Sequence, residues 1–445
     1  MRFILEDSSA QKRRGKLEIV TARKNISSVV LWSVISAAFI GPGTVTTAAS
    51  AGALFQLNLL WAVVFSTIAC IILQEVSARL TIVSGLTMGQ ALTRKHGDRR
   101  GRILNFLLGG PVILGCAAYE AGNILGGVSG LTLFVPIDAT LITLILSLIV
   151  LIVLWTDRRQ AIGWIMTFLV GIMGIAFFAL ASGRPFSAAE YFQASIVPQI
   201  PSGSELLTLG LVGTTIVPYN IFLGSGVSKG QTVQLMRIGL TISVIIGGLI
   251  TAAILIAGTA VGPFTNFAQL AQALNDNLGS IGSIALGVGL FAAGFSSAIT
   301  SPYAASIIAS SVFSWGTKGQ RWVWGGVLFT GFAFGISGIK PIPVILMVQA
   351  LNGLVLPLVT AFLILLINDQ TIIPRERRPG NFYNTILVLI FGSVLFMGLH
   401  SVDKSFTAWL GLSGSHYELM AIATLALTGY LTYSLIRLKR MPSKD

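Results

Sequence analysis

Twelve long apolar stretches succeed one another between Ser28 and Ile436, at 28–54, 58–84, 103–133, 138–155, 162–182, 205–228, 238–261, 281–312, 322–338, 341–367, 383–399 and 417–436. A helix of about 20 apolar residues crosses a bilayer, and backbone in hydrocarbon has to satisfy its own hydrogen bonds, so each stretch is expected to be a transmembrane helix. The chain is 54% hydrophobic and only 10% charged, against roughly 25% charged in soluble domains, which excludes a water-soluble globule. The fold class expected is an all-α membrane protein of about twelve transmembrane helices.

The net charge of +13 is a topology signal. With the N-terminus in the cytoplasm, 26 of the 29 lysines and arginines fall at the inner face, leaving Arg184, Lys340 and Lys404 outside. Such a bias predicts that both termini are cytoplasmic in a multi-pass protein of the inner or plasma membrane. The lipid bilayer then accounts for the basic residues, and no nucleic-acid partner is expected. Residues 1–26 are polar and mixed in charge, so no cleavable signal peptide is read there. Cys70 and Cys116 both lie inside spans, where they are expected to be small apolar packers, with no disulfide framework.

Two spans are interrupted near the middle. The first carries Gly41-Pro42-Gly43-Thr44 and the sixth Val217-Pro218-Tyr219-Asn220, with the prolines 176 residues apart. Proline removes a donor and glycine tolerates non-helical dihedrals, so both sequences break a helix. Matched breaks that open two five-span halves point to an inverted repeat with a binding site at the midplane, as in secondary transporters. The organisation expected is a cytoplasmic tail over 1–27, a first five-helix repeat over 28–183 and an outer loop over 184–204. A second repeat follows over 205–370, then two extra helices and a tail over 371–445.

The breaks free backbone groups that lipid cannot satisfy, so they are expected to border a polar cavity. Its lining is predicted to include Gly41, Thr44, Thr47, Val217, Tyr219, Asn220, Gln349 and Asn352. Two carboxylates lie well inside the spans. Glu75 has Arg79 one helical turn later, in the order that favours an ion pair. Glu120 has Cys116, Ala117, Asn123 and Ile124 as its helical neighbours and no cation, the setting either of a proton or cation site or of a protonated, hydrogen-bonded structural glutamate. Ser296 with Thr300, and Ser297 with Ser301, form a hydroxyl strip in the eighth span. Gly122, Gly126 and Gly130 form a close-packing seam in the third. Phe264, Phe267, Ala268, Ala271, Leu274 and Leu278 recur at helical spacing between spans seven and eight, predicting an amphipathic helix at the outer surface. Glu205, near Ser202 and Ser204, is expected to cap the first turn of span six.

A channel is disfavoured because no repeated carbonyl filter is present. An enzyme is disfavoured because His96, His400 and His416 fall outside the spans and no acid–base pair or metal-protease motif occurs. No ATP-binding loop is found, so an ion gradient is the expected driving force; no cofactor is expected beyond Na⁺ or H⁺ as coupling ion.

The stretch from Gln74 to Gly85, QEVSARLTIVSG, resembles the second span of the Nramp divalent-metal transporters. GTTIVPYNIFLGS, residues 213–225, resembles their sixth, Ser296–Thr300 their eighth, and Gln349 with Leu356-Pro357 their tenth. The likeness covers residues 28–370 and implies a LeuT-type 5+5 inverted repeat with broken helices 1 and 6, and proton-linked metal uptake. In that family the first break reads Asp-Pro-Gly-Asn and its Asp and Asn bind metal, whereas Gly41 and Thr44 stand there here. The family's methionine in the sixth span is Val217, and its two nearby histidines are Tyr219 and Gly224. Its acidic pair on the third span aligns with Tyr119 and Gly122, beside Glu120, which places Tyr119 among the substrate-binding candidates. A LeuT-type fold would also permit a coupling-ion site formed by Glu120, Ser297 and Thr300.

A desolvated transition metal needs imidazole, sulfur or carboxylate ligands, and Gly41, Thr44 and Val217 supply none. The cargo expected is therefore a small polar solute or a partly hydrated cation, carried by an ion-coupled secondary transporter. The alternative is a proton-coupled divalent-metal transporter with a rearranged site that uses Glu120 and Gln349.

Overall fold

A computed structural model describes Trp32 and residues 40–156, 159–228, 230–409 and 416–440. The described residues form fifteen α-helices and two short 3₁₀ turns. In the first half these are α1 (Pro42–Phe55), α2 (Leu60–Ser84), α3 (Met88–Thr132), α4 (Ala139–Thr156), α5 (Arg159–Ser182) and α6 (Ala188–Ile196). The second half holds α7 (Glu205–Thr215), α8 (Pro218–Val227), α9 (Val233–Gly258), α10 (Phe267–Leu278), α11 (Ser280–Phe313), α12 (Thr317–Ile336) and α13 (Pro341–Ile367). Two further helices, α14 (Asn381–Trp409) and α15 (Tyr417–Arg440), follow. Every expected span is represented, although of residues 28–39 only Trp32 is described; among the described residues nine stretches are long and apolar enough to cross a membrane by length and composition.

Burial grades the helices from centre to rim. In the most apolar 18 residues of Glu205–Gly226, 94% are buried, against 17% in those of Tyr417–Lys439, so the broken sixth span lies inside the bundle and α15 at its rim. Exposed leucines, isoleucines and phenylalanines such as Leu114, Phe168, Ile175 and Leu425 coat the periphery, as expected of a lipid-facing surface.

Small residues set the helix crossings, since lipid supplies no hydrophobic force between helices and close van der Waals contact has to hold them. Gly126 lies against the Pro42 ring, and Gly130 against the backbone of Gly287 and Phe291. A Cβ on Gly294 would stand 2.6 Å from the Gly127 nitrogen and 2.7 Å from the Asn123 carbonyl oxygen, both main-chain atoms of α3. Neither can rotate away. Gly294→Ala is therefore expected to cost about 1–3 kcal/mol by overpacking; an unchanged thermal-unfolding midpoint in detergent would contradict this crossing.

Several boundaries differ from those expected. The third span is preceded by a short helix that opens at Met88, with Thr87 and Gln90 closing a capping box. The run turns at Gly97, whose φ of 75° favours glycine. Residues 88–96 thereby fold back on the membrane segment, with Asn105 Nδ2 donating to the Gly89 carbonyl at 3.1 Å. Lys95 pairs with Asp369 beyond α13 at 2.8 Å. Burial alone would raise the Asp369 carboxyl, but Lys95 and Thr371 outweigh it and hold it below its ordinary value. The connection over 184–204, expected as a plain loop, contains α6, capped by Ser187 and Glu190. The amphipathic helix is α10, with Phe267, Leu270, Ala271 and Leu274 buried; Phe264, expected within it, is buried in the segment before it. The eleventh span continues past 399 to Trp409, so His400 lies within α14 and is buried. Ser204 makes no side-chain cap on α7, and Glu205 faces Lys404 at 3.7 Å and His400 at 4.0 Å instead.

Candidate functional site

Both breaks are present at the prolines. In the sixth span α7 ends at Thr215, Ile216 and Val217 leave helical geometry (φ −99°, ψ 71° and φ −72°, ψ 122°), and α8 restarts with Pro218 in its first turn. Proline forces this, because it cannot donate and disfavours helix in the residue before it. In the first span Gly41 is extended, with ψ −176°, and α1 opens with Pro42. The amides of Thr44 and Val45 close the turn onto the Gly41 carbonyl at 3.0 and 3.2 Å. Trp32, in the portion before this break, is fully buried and lies beside Gly224 of α8.

Helix α2 supports the broken sixth span along its length. The Cys70 thiol donates to the Thr215 carbonyl at 3.4 Å, one of the groups freed by the break. Ser77 donates to the Ile221 carbonyl at 2.7 Å, and the hydroxyls of Thr81 and Ser225 are bonded to each other. Cys70 is thus a hydrogen-bond donor at the break rather than a simple apolar packer. Cys116 in turn contributes its carbonyl to Ser301.

The two breaks meet. Thr44 and Thr214 share a hydroxyl–hydroxyl bond of 2.9 Å, and the Gln349 side chain of α13 lies directly over Gly43. Thr47 sits beside Gly210 of α7, and Asn352 beside Gly115 of α3. Tyr119 meets Tyr219 edge to face, with ring centroids 5.6 Å apart. Around this junction seven buried side-chain atoms have no hydrogen-bond partner: Thr47 Oγ1, Tyr119 Oη, Tyr219 Oη, Asn220 Oδ1 and Nδ2, Gln349 Oε1 and Asn352 Nδ2. An unpaired buried polar group costs about 1–3 kcal/mol, so such a concentration in an otherwise apolar bundle marks a place built for a polar ligand. All seven atoms are uncharged. The opposed helix ends add main-chain dipoles of both signs, the carbonyl end of α7 and the amide ends of α8 and α1. Gly41 and Val217 offer main chain alone. Among the described residues no group of three or more histidines, cysteines and acids comes together.

The expected coupling residues separate. Glu120 is fully buried, its Oε2 accepts from Asn123 Nδ2 at 3.3 Å, and Oε1 has no partner. Its side chain packs on Gly331 of α12. Asn123 also approaches Gly41, with Oδ1 3.9 Å from where a Cβ would stand, and Ser297 Oγ lies 3.2 Å from the same point. Glu120, Asn123, Ser297 and Gly41 therefore form one cluster beside the first break. Thr300 does not join it: it is half-buried and gives its hydroxyl to the Ser296 carbonyl of its own helix at 2.9 Å. Ser301, one four-residue step from Ser297, donates instead to the Cys116 carbonyl of α3 at 2.9 Å. Glu75 is more than half of a pair. It accepts from Arg79, from Arg237 of α9 at 2.9 Å and from Tyr383 of α14 at 2.7 Å.

Three site residues escaped the sequence reading. Gln74, whose Oε1 is unpartnered while Nε2 bonds Cys70, opens the stretch quoted above for the second span. Thr214 precedes Pro218 by one helical step. Asn123 was visible only as a neighbour of Glu120.

A polytopic all-α bundle with two proline-broken helices meeting at a polar junction has the LeuT-type fold of membrane transporters. Residues 33–403 match the Nramp model, described as natural resistance-associated macrophage protein-like, and the chain belongs to that family. It is 23% identical over 419 residues to the divalent metal cation transporter MntH of Caldanaerobacter subterraneus subsp. tengcongensis, covering 88% of this chain and 98% of the relative. It is 28% identical over 304 residues to MntH of Levilactobacillus brevis, covering 62% and 65%. Among solved structures, the Eremococcus coleocola manganese transporter superposes with a TM-score of 0.72 at 19% identity over 93% of each chain. Mhp1, a nucleobase-cation-symport-1 family transporter, superposes at 0.56 with 16% identity over 94% of each. These likenesses to solved structures concern the fold.

Proposed function

We propose that the chain carries a hard divalent cation that keeps part of its water shell, by alternating access around the two breaks, with Glu120 as the carrier of a coupling proton. The cluster of seven uncharged, unpartnered polar atoms carries this reading. Five of the seven are neutral oxygens and two are amide N–H donors. Oxygens with no imidazole, thioether or carboxylate among them, beside donors that can bond a retained water, suit an ion that gives up few of its waters. Mg²⁺ is such an ion, whereas tight selection of Mn²⁺ or Fe²⁺ relies on softer or charged ligands. Relatives named as divalent metal cation transporters support a cation as cargo over a small polar solute. Glu120 supports the proton: it is buried without a cation, one hydrogen bond from the first break.

Proteoliposomes test both parts. Saturable Mg²⁺ uptake is expected, with Mn²⁺ carried weakly. Micromolar, saturable Mn²⁺ uptake indifferent to excess Mg²⁺ would overturn the hydrated-ion reading, and failure of every divalent cation to enter would return the polar solute. Glu120→Gln is expected to abolish the acceleration by an inward pH gradient while sparing downhill uptake. A gradient response kept intact in that variant would remove Glu120 from the proton path.

A further inference from the structure

Away from the breaks, α3 just past its turn at Gly97 borders a groove of about 440 Å³ lined by Arg99, Arg102, Ile103, Phe106 and Leu107. These residues follow the three- and four-residue steps of one helix face. All are exposed, with Ile103 at 56% and Phe106 at 64%. The same face continues past Gly110, which has open space before it, to Leu114 at 72% exposure. From Ile103 to Leu114 the helix rises about 16 Å, close to the thickness of one hydrocarbon leaflet, about 15 Å. Aromatic rings close one side: Phe106 lies 6.2 Å from Phe313, and Phe313 5.1 Å from Trp315.

The charge at the mouth is unbalanced. Arg94, Arg99, Arg100 and Arg102 stand with a single acid, Asp98, while Lys95 is engaged by Asp369. Arg102 donates its Nε to the Asp98 carbonyl at 3.1 Å, which directs the guanidinium and leaves its terminal nitrogens for another acceptor. Two guanidiniums at the headgroup level above a leaflet-long apolar track match a phosphate that carries an acyl chain, and a zwitterionic headgroup would bring its own cation against them.

We propose that this groove binds one anionic phospholipid, its phosphate on Arg99 and Arg102 and an acyl chain along Ile103, Phe106 and Leu114. The test is native mass spectrometry of the full-length protein released from vesicles of phosphatidylcholine doped with phosphatidylglycerol. A retained phosphatidylglycerol adduct is expected on the native chain. Each basic residue near an anionic headgroup contributes about a fivefold factor, so R99Q/R102Q is expected to weaken retention by roughly 30-fold. R375Q/R377Q removes the same charge from another exposed site and is expected to leave the adduct unchanged. Equal retention by R99Q/R102Q and the native chain, equal losses in both double variants, or equal retention of phosphatidylcholine would each overturn the proposal. So would displacement of the lipid by inorganic phosphate at matched ionic strength, since the acyl track would then contribute nothing.

Discussion

Glu75→Ala is expected to destabilise the protein by about 3–5 kcal/mol, the range seen when one partner of a buried ion pair is removed. Glu75 is 5% exposed and holds two arginines and a tyrosine from three different helices, the shortest contact being 2.6 Å to Arg79. Without the carboxylate, Arg79 keeps its charge in a site only 9% exposed, with the Tyr383 ring 5.1 Å below it as its remaining partner. Arg237 is 53% exposed and can turn to water, so Arg237→Gln is expected to cost under about 1 kcal/mol, as exposed pairs do. Thermal unfolding of the two purified variants measures the contrast. Similar midpoints would mean that the node does not hold α2, α9 and α14 together.

Asn220→Ala is expected to reverse that pattern, lowering transport at least tenfold, about 1.4 kcal/mol, while leaving stability unchanged or slightly raised. Both amide atoms of Asn220 are buried without partners, so the fold loses no hydrogen bond when they are removed and a desolvation cost disappears. Gln349→Ala is expected to do the same to transport. Its Oε1 is unpartnered, and truncation opens space over Gly43. Initial uptake rates in proteoliposomes, read beside unfolding midpoints, separate function from folding. Full transport with a lowered midpoint would make Asn220 an ordinary packing residue and move the substrate elsewhere.

The contrast between Glu75 and Asn220 also marks what could be read in advance. Glu75 was recognised as paired because Arg79 lies on the next turn of the same helix, but Arg237 and Tyr383 lie 162 and 308 residues away. The position of Asn220 beside a break is legible because Pro218 is a local instruction, and Asn220 lies in the first turn of α8. Thr300 joins Ser297 as a coupling candidate only through the LeuT-type likeness, which does not say what accepts its hydroxyl; the acceptor is the Ser296 carbonyl of its own helix. His400 was put outside the membrane because hydropathy falls after residue 399, yet the helix continues and buries the ring between Phe396 and Tyr417.

What the sequence determined alone was therefore whatever rests on chemistry within one or two helical turns: apolar length that must span, prolines that must break, and a carboxylate without a nearby cation. Only the tertiary structure decided which partners met, among them Thr44 with Thr214, Cys70 with the freed Thr215 carbonyl, and Asn123 between Glu120 and Gly41. These contacts depend on how closely glycine-lined helices approach, and that distance is set by the packing of all the spans together.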